Sequence, residues 1–118
     1  MRTRIASVRR VPGQAGVIVL GEVIADVTVG FGEPSGSTLP MTAHAGGSPA
    51  NVAVALARLG VPARFVGRIS GDLLGRFLHA HLEHSGVDLG LSLDVGEPCT
   101  MAMVGVDDTG APAYSFYT

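Results

Sequence analysis

The spacing of apolar and polar residues divides this chain into elements of two periods. Val17-Ile18-Val19-Leu20 is a continuous apolar run closed by Gly21, the pattern of a central parallel strand covered on both faces. From Ile24 the period becomes two, with Ala25, Val27 and Val29 on one side and Asp26 and Thr28 on the other. That alternation predicts a strand with one dry and one wet face. Residues 30 to 38 are rich in Gly, Pro and Ser and predict a loop, after which residues 39 to 45 return as a second extended segment. A helix is then expected from about Pro49 to Leu59. Ser48 is a capable N-cap, Pro49 suits the first helical position, and Gly60 can take the left-handed conformation that ends a helix. Between these caps only Asn51 and Arg58 are neither small nor apolar, so the helix is expected to be covered on most sides.

Residues 63 to 69 read as another buried strand, completing a strand-helix-strand unit whose crossover is right-handed. Asp72 is placed to cap a second helix, where Leu74, Phe77, Leu78 and Leu82 make one apolar stripe and Gly86 ends it. Residues 87 to 93 suit a short third strand. The alternating run from Thr100 to Val106, a turn over Asp107-Asp108-Thr109-Gly110 and a last strand over 113 to 117 read as a hairpin. The class is therefore α/β, a sheet of parallel strands with crossover helices. Beside it a smaller sheet, expected to be antiparallel, would draw on residues 24 to 45 and 99 to 117. Residues 1 to 16 carry no periodicity and are expected to be a loose leader before a single folded unit over 17 to 118.

The chemistry concentrates where the loop enters the first helix. Gly46 and Gly47 carry no β-carbon, so a ligand can lie against their backbone, and the helix start behind them offers N–H donors and a partial positive charge. Asn51 is the one side-chain amide there; it accepts and donates together, which suits a hydroxyl-rich ligand better than a phosphate. Asp26, on the wet face just beyond a central strand, sits where open α/β sheets take their ligands, and its two oxygens can hold adjacent hydroxyls. The plainer alternative is a tight turn and a solvated acid. No Gly-Lys-Ser/Thr follows the glycines and no Gly-x-Gly-x-x-Gly is present, so the turn is neither a P-loop nor a dinucleotide fingerprint.

Composition narrows the classes. The 118 residues allow one domain, 47% of them are hydrophobic, and 17 are glycine; so apolar a small chain is expected to need a partner surface. All eight basic residues are Arg, and Arg2, Arg4, Arg9 and Arg10 fall in the first ten positions. The remainder sets four Arg against ten acids, which argues against a nucleic-acid partner. Cys99 is the only cysteine, so no internal disulfide is expected and the thiol reads as buried and inert in a reducing, cytoplasmic protein. Glu22 and Asp26 cut the first apolar run too short for a membrane span or an export signal. His79, His81 and His84 do not converge with a third ligand at helical spacing, so no metal site is expected. His44 is a weak candidate for a substrate contact.

Taken together, Gly46-Gly47-Ser48-Pro49-Ala50-Asn51-Val52-Ala53 with its helix closing on Leu59-Gly60 resembles the N-terminal signature of the ribokinase-like (PfkB) carbohydrate kinases. Gly21-Glu22 with Asp26, Phe65-Val66-Gly67-Arg68, Asp72-Leu73-Leu74-Gly75-Arg76-Phe77-Leu78 and Tyr114-Ser115-Phe116-Tyr117 follow that family's order and spacing. The resemblance spans residues 17 to 117, less than half of a typical member, and is nearest to the fructokinase branch. It implies a ribokinase-like α/β fold with a small β-sheet lid and a sugar held by Asp26, Gly46, Gly47 and Asn51, with homodimerisation through the lid. It also implies ATP with Mg2+ as the phosphoryl donor of a complete enzyme. The catalytic base and anion hole of that family lie in a later Asp-Thr-x-Gly-Ala-Gly-Asp segment. Asp107-Asp108-Thr109-Gly110-Ala111 copies only a few of its letters before Pro112, so no catalytic residue and no bound ATP are expected in this chain by itself. Ser70-Gly71-Asp72 departs from the Asp-Asp usual there. Tyr117 is a possible lid contact, while Thr118 stands where many relatives have Arg. The other reading is a non-catalytic sugar-binding or self-association module on the same fold.

Overall fold

The computed structural model describes residues 15–30 and 36–118; the leader expected over 1–16 therefore lies almost wholly outside the described residues. The first apolar run forms β1 (Val17–Leu20) and the alternating one β2 (Ile24–Val29), followed by β3 (Met41–Gly46) and helix α1 (Ser48–Arg58). The next strand is interrupted at Gly67 into β4 (Ala63–Val66) and β5 (Arg68–Ser70). After α2 (Leu73–His84) come β6 (Leu93–Val95), β7 (Met101–Val106) and β8 (Pro112–Tyr117).

Two layers of strands result. In the body, β1 pairs parallel with β4, in register Val17 with Ala63 through Leu20 with Val66, and β5 pairs parallel with β6. A bridge between Arg64 and Asp88 continues the β6 side along β4. The strand expected at 87–93 is thus displaced to 93–95, with only Asp88 bridging earlier. The second sheet runs β3-β2-β7-β8. The expectation of an antiparallel sheet is corrected here. β2 with β3 and β7 with β8 are antiparallel, but β2 and β7 run parallel, because their connection passes through the whole body and returns in the same direction.

The core lies between these layers and the helices: Ala25, Val27, Ala53, Ala57, Phe65, Ile69, Leu78 and Leu82 are all buried. The dry face assigned to β2 is confirmed by Ala25 and Val27. The expected covering of β1 on both faces is not, since Ile18 is 62% and Leu20 77% exposed. Helix α1 is likewise covered on one side only. Ala50, Ala53, Val54 and Ala57 face the core, while Val52 and Leu59 are exposed. Its N-cap is Gly47 rather than Ser48, a shift of one residue with a cause described below. Asp72 caps α2 as expected, its Oδ1 accepting the Gly75 N–H at 2.8 Å.

Candidate functional site

Strand β2 leaves the body just after β1 and carries Asp26, while β3 returns antiparallel beside it and ends at Gly46, where α1 begins. Asp26 stands opposite His44 on β3 and opposite Ala102 on β7. Residues directly opposite in a sheet share a face, so Asp26, His44 and, two residues on, Gly46 line one side. The Asp26 carboxylate fills the space where Gly46 has no side chain; a β-carbon built there would collide with Asp26 Oδ2 and Cγ. Gly47 then turns with φ 99°, and a β-carbon on it would meet the Glu22 carbonyl oxygen at 2.7 Å. That close passage requires glycine. It also explains the capping shift, because the chain bends at Gly47 and Ser48 is already the first helical residue. The Asn51 N–H donates to the Gly47 carbonyl at 2.9 Å, closing the first turn of α1.

Of the four residues picked from sequence, Asp26 and Gly46 touch, Gly47 follows directly, and Asn51 lies on the exposed side of the first helical turn. Among the described residues, neither the Asp26 carboxylate nor the Asn51 amide has a side-chain hydrogen-bond partner. A half-buried acid beside bare main chain, with an amide and a helix N-terminus nearby, offers acceptors and donors together. Such a set matches vicinal hydroxyls rather than an anion.

Register adds what sequence reasoning missed. Ala102 stands opposite Phe116, so Phe116 shares the Asp26 face, and Tyr114 stacks on it with ring centroids 6.4 Å apart. Tyr117 stands opposite Met101, which in turn faces Ala25. It therefore projects to the other side of the sheet, and the aromatic residue on the Asp26 side is Phe116. The signal was available in the period of two along β8, but the register that fixes which residues face Asp26 is a long-range property.

A cleft of about 480 Å3 opens at the carboxyl ends of β1, β5 and β6, lined by Gly21, Glu22, Ser70, Cys99 and Thr100 among others. None of the four sequence-picked residues lines it; the Gly21-Glu22-Val23 turn separates it from Gly47. At its rim Arg68 pairs with Glu97 at 2.6 Å. The Glu97 carboxyl is held below its usual value by its own backbone N–H first and by Arg68 second. Both side chains are 64% exposed, so the pair contributes little to stability. On α2, burial and then the Arg58 charge lower the His81 pKa, and His79 lies 3.4 Å from Glu83. Among the described residues no group of three or more His, Cys, Asp or Glu side chains converges on a metal position.

The pfkB family carbohydrate kinase pattern matches residues 14–117. The chain belongs to the pfkB family of carbohydrate kinases. It is 39% identical over 103 residues to fructokinase-1 of Oryza sativa subsp. japonica, covering 86% of this chain and 32% of that protein. Over 72 residues it is 38% identical to a 5-dehydro-2-deoxygluconokinase of Geobacillus kaustophilus, covering 60% of this chain and 22% of that one. In three dimensions it superposes on the crystal structure of an ATP-bound fructokinase from Xylella fastidiosa with a TM-score of 0.81 and 31% identity, covering 89% of this chain and 33% of the other. The ribokinase-like α/β fold anticipated from the sequence is thus the observed one. The pfkB chain described here spans between about a fifth and a third of the length of the curated relatives it matches.

Proposed function

We propose that these residues are the sugar-holding and lid part of an ATP-dependent sugar kinase of fructokinase type, the folded unit running from 17 to 118. The observation that carries the reading is the Asp26 carboxylate lodged against the bare main chain of Gly46 at the entry to α1. Asp26 accepts from two neighbouring sugar hydroxyls and Asn51 contributes a donor and an acceptor, while the space Gly46 leaves is taken by the Asp26 carboxylate and that of Gly47 by the Glu22 carbonyl, so the glycines place the acid rather than the ring. The mixed sheet acts as the lid, with Phe116 and Tyr114 offering an apolar surface on the Asp26 side.

Transfer of a phosphoryl group needs a base for the attacking hydroxyl and donors for the charge that develops. ATP with Mg2+ would supply the phosphoryl group to the bound sugar hydroxyl. The glycine turn lacks the Lys-Ser/Thr of a phosphate loop, which supports placing the nucleotide site elsewhere. The base and the nucleotide site therefore belong to other residues of a complete kinase. Among the described residues no helix is long and apolar enough to cross a membrane, and a cytoplasmic location, with dimerisation through the lid, accompanies this reading.

Titration of the 118-residue chain with fructose, ribose and a nucleoside, followed by calorimetry, tests the proposal. Saturable binding of one of them that Asp26→Ala weakens about tenfold or more supports it, and binding unchanged by Asp26→Ala defeats it. The same chain should show no sugar-dependent ADP release. A second reading, a non-catalytic sugar-binding or self-association module, draws on the exposed Ile18, Leu20, Val52 and Leu59. Reading the DNA downstream of Thr118 separates the two: an in-frame Asp-Thr-x-Gly-Ala-Gly-Asp segment favours the kinase.

A further inference from the structure

The sheet that carries Asp26 is attached to the body at three places: the Gly21–Val23 turn, the Gly46–Gly47 turn, and the segment entering β7 at Cys99. The third has no strand pairing with the body to fix it. Two side chains hold it instead: the exposed Arg68–Glu97 pair at 2.6 Å, which contributes little, and Asp72, which bonds its backbone directly. Asp72 uses its two carboxylate oxygens separately: Oδ1 accepts the Gly75 N–H at 2.8 Å, capping α2, and Oδ2 accepts the Cys99 N–H at 2.8 Å, across 27 residues. Its own N–H donates to Ser70 Oγ at 3.1 Å, which ties it to the end of β5. From Cys99 the connection continues, since the Thr100 carbonyl accepts the Ala25 N–H at 3.0 Å, and Ala25 is the neighbour of Asp26.

We propose that Asp72 is a positioning residue that sets the register of β7, and through it Asp26, against the body. A plain N-cap needs one acceptor oxygen, and any of Ser, Thr, Asn or Asp supplies it. Of these four, only Asp carries two acceptor oxygens, so that donors on two separate segments can each be met by its own oxygen. An aspartate whose second oxygen bonds the backbone N–H of Cys99, two residues before β7, therefore has a role that capping does not require. Because Asp72 lies outside the sugar cradle, it acts on the ligand only by fixing where β2 and β7 begin. The consequence for sugar binding rests on the reading of Asp26 given above; the consequence for the register does not.

Two substitutions separate the cap from the clamp. In Asp72→Ser the hydroxyl still caps Gly75 but cannot also reach Cys99. In Asp72→Asn the shape is kept with a single acceptor oxygen, so only one of the two N–H groups stays satisfied. Hydrogen exchange resolved to individual amides, measured on the 118-residue chain, reads the clamp directly. The expected result for Asp72→Ser is exchange at Cys99 and Ala25 faster by about tenfold or more, with Gly75 and the rest of α2 unchanged. For Asp72→Asn, one of Gly75 and Cys99 accelerates and the other does not. Parental exchange at Cys99 and Ala25 in both variants overturns the inference, as does acceleration spread evenly over the whole chain, which marks a merely structural role. Fructose titration supplies the second readout. A weaker affinity in Asp72→Ser, with the thermal midpoint near that of the parent, is expected; unchanged affinity where Asp26→Ala weakens it overturns the link to Asp26. If neither the parent nor Asp26→Ala responds to any sugar, the kinase reading fails, and exchange still decides whether Asp72 holds the register.

Discussion

The contact between Asp26 and Gly46 makes a prediction that does not depend on which ligand is bound. Gly46 has no positive φ, so its backbone tolerates alanine, and the nearest atoms a β-carbon would meet all belong to the Asp26 side chain. Overfilling a well-packed core costs about 1–3 kcal/mol; here the obstacle is the end of a half-buried aspartate side chain that can turn aside, so the cost falls at the low end, about 1 kcal/mol. Replacing Gly by Ala in an allowed conformation stabilises by about 0.4–1 kcal/mol through the unfolded chain. The two nearly cancel, so Gly46→Ala should move the thermal midpoint by no more than about 2–3 °C while displacing the Asp26 carboxylate. In an Asp26→Ala background the obstacle is gone and only the stabilising term remains, so Gly46→Ala should become favourable there. The coupling energy of the double-mutant cycle is then about 1 kcal/mol. Urea unfolding of the four proteins at one temperature measures it. Additive effects, with the same change on Gly46→Ala in both backgrounds, would refute the claim that the glycine exists to admit the carboxylate.

Acidification should cost stability in two stages. His81 has its pKa lowered from 6.5, first by burial and then by Arg58, so the unfolded chain binds its proton first and stability falls as pH drops below about 6.5; His81→Gln should flatten that part of a urea-midpoint profile. The Asp72 carboxyl lies below 3.8 because the Cys99 and Gly75 N–H groups bond its charged form. Its contribution is present above that value and is lost as pH falls through the folded one, a loss that Asp72→Ala should not show. The exposed Ile18, Leu20, Val52 and Leu59 should drive self-association of the isolated chain; light scattering should report less of it in Val52→Ser/Leu59→Ser, and a parent that stays monomeric at high concentration would refute this. Cys99 is buried, and desolvation followed by the Asp72 charge pushes its thiol pKa up, so alkylation should be slow until denaturant is added.

How far the sequence reached depends on whether each feature is local. Helix α1 was legible because Pro49 and Gly60 act within one turn of its ends, and Gly60 does take a positive φ of 83°. Its cap was misassigned by one residue because the requirement on Gly47 comes from the Glu22 carbonyl, 25 positions earlier. The two-residue period of β2 correctly separated buried Ala25 and Val27 from Asp26. The same period in β8 was present too, yet choosing between Phe116 and Tyr117 required the register with β7. Apolar composition predicted that β1 and α1 want cover, and it is silent on whether these residues supply it. The parallel pairing of β2 with β7 belongs to the same class, since no local pattern separates it from an antiparallel neighbour.

The arrangement of the proposed cradle follows from how the four-stranded sheet is joined to the body. Each place where the chain passes between them is adjacent to a cradle residue or bonded to the neighbour of one: Gly21–Val23 backs Gly47, Gly46–Gly47 admits Asp26, and Cys99–Thr100 holds Ala25. On the reading proposed above, a ligand held there would be fixed by junctions rather than by the interior of a sheet. Substitutions at these crossings should therefore change affinity out of proportion to their effect on stability, whereas truncations deep in the core, such as Phe65→Ala, should do the reverse. Among the crossings, the segment at Cys99 is the one secured by a side chain instead of by glycine packing. It is accordingly the junction that a single substitution can loosen without altering the backbone conformations on which the other two depend.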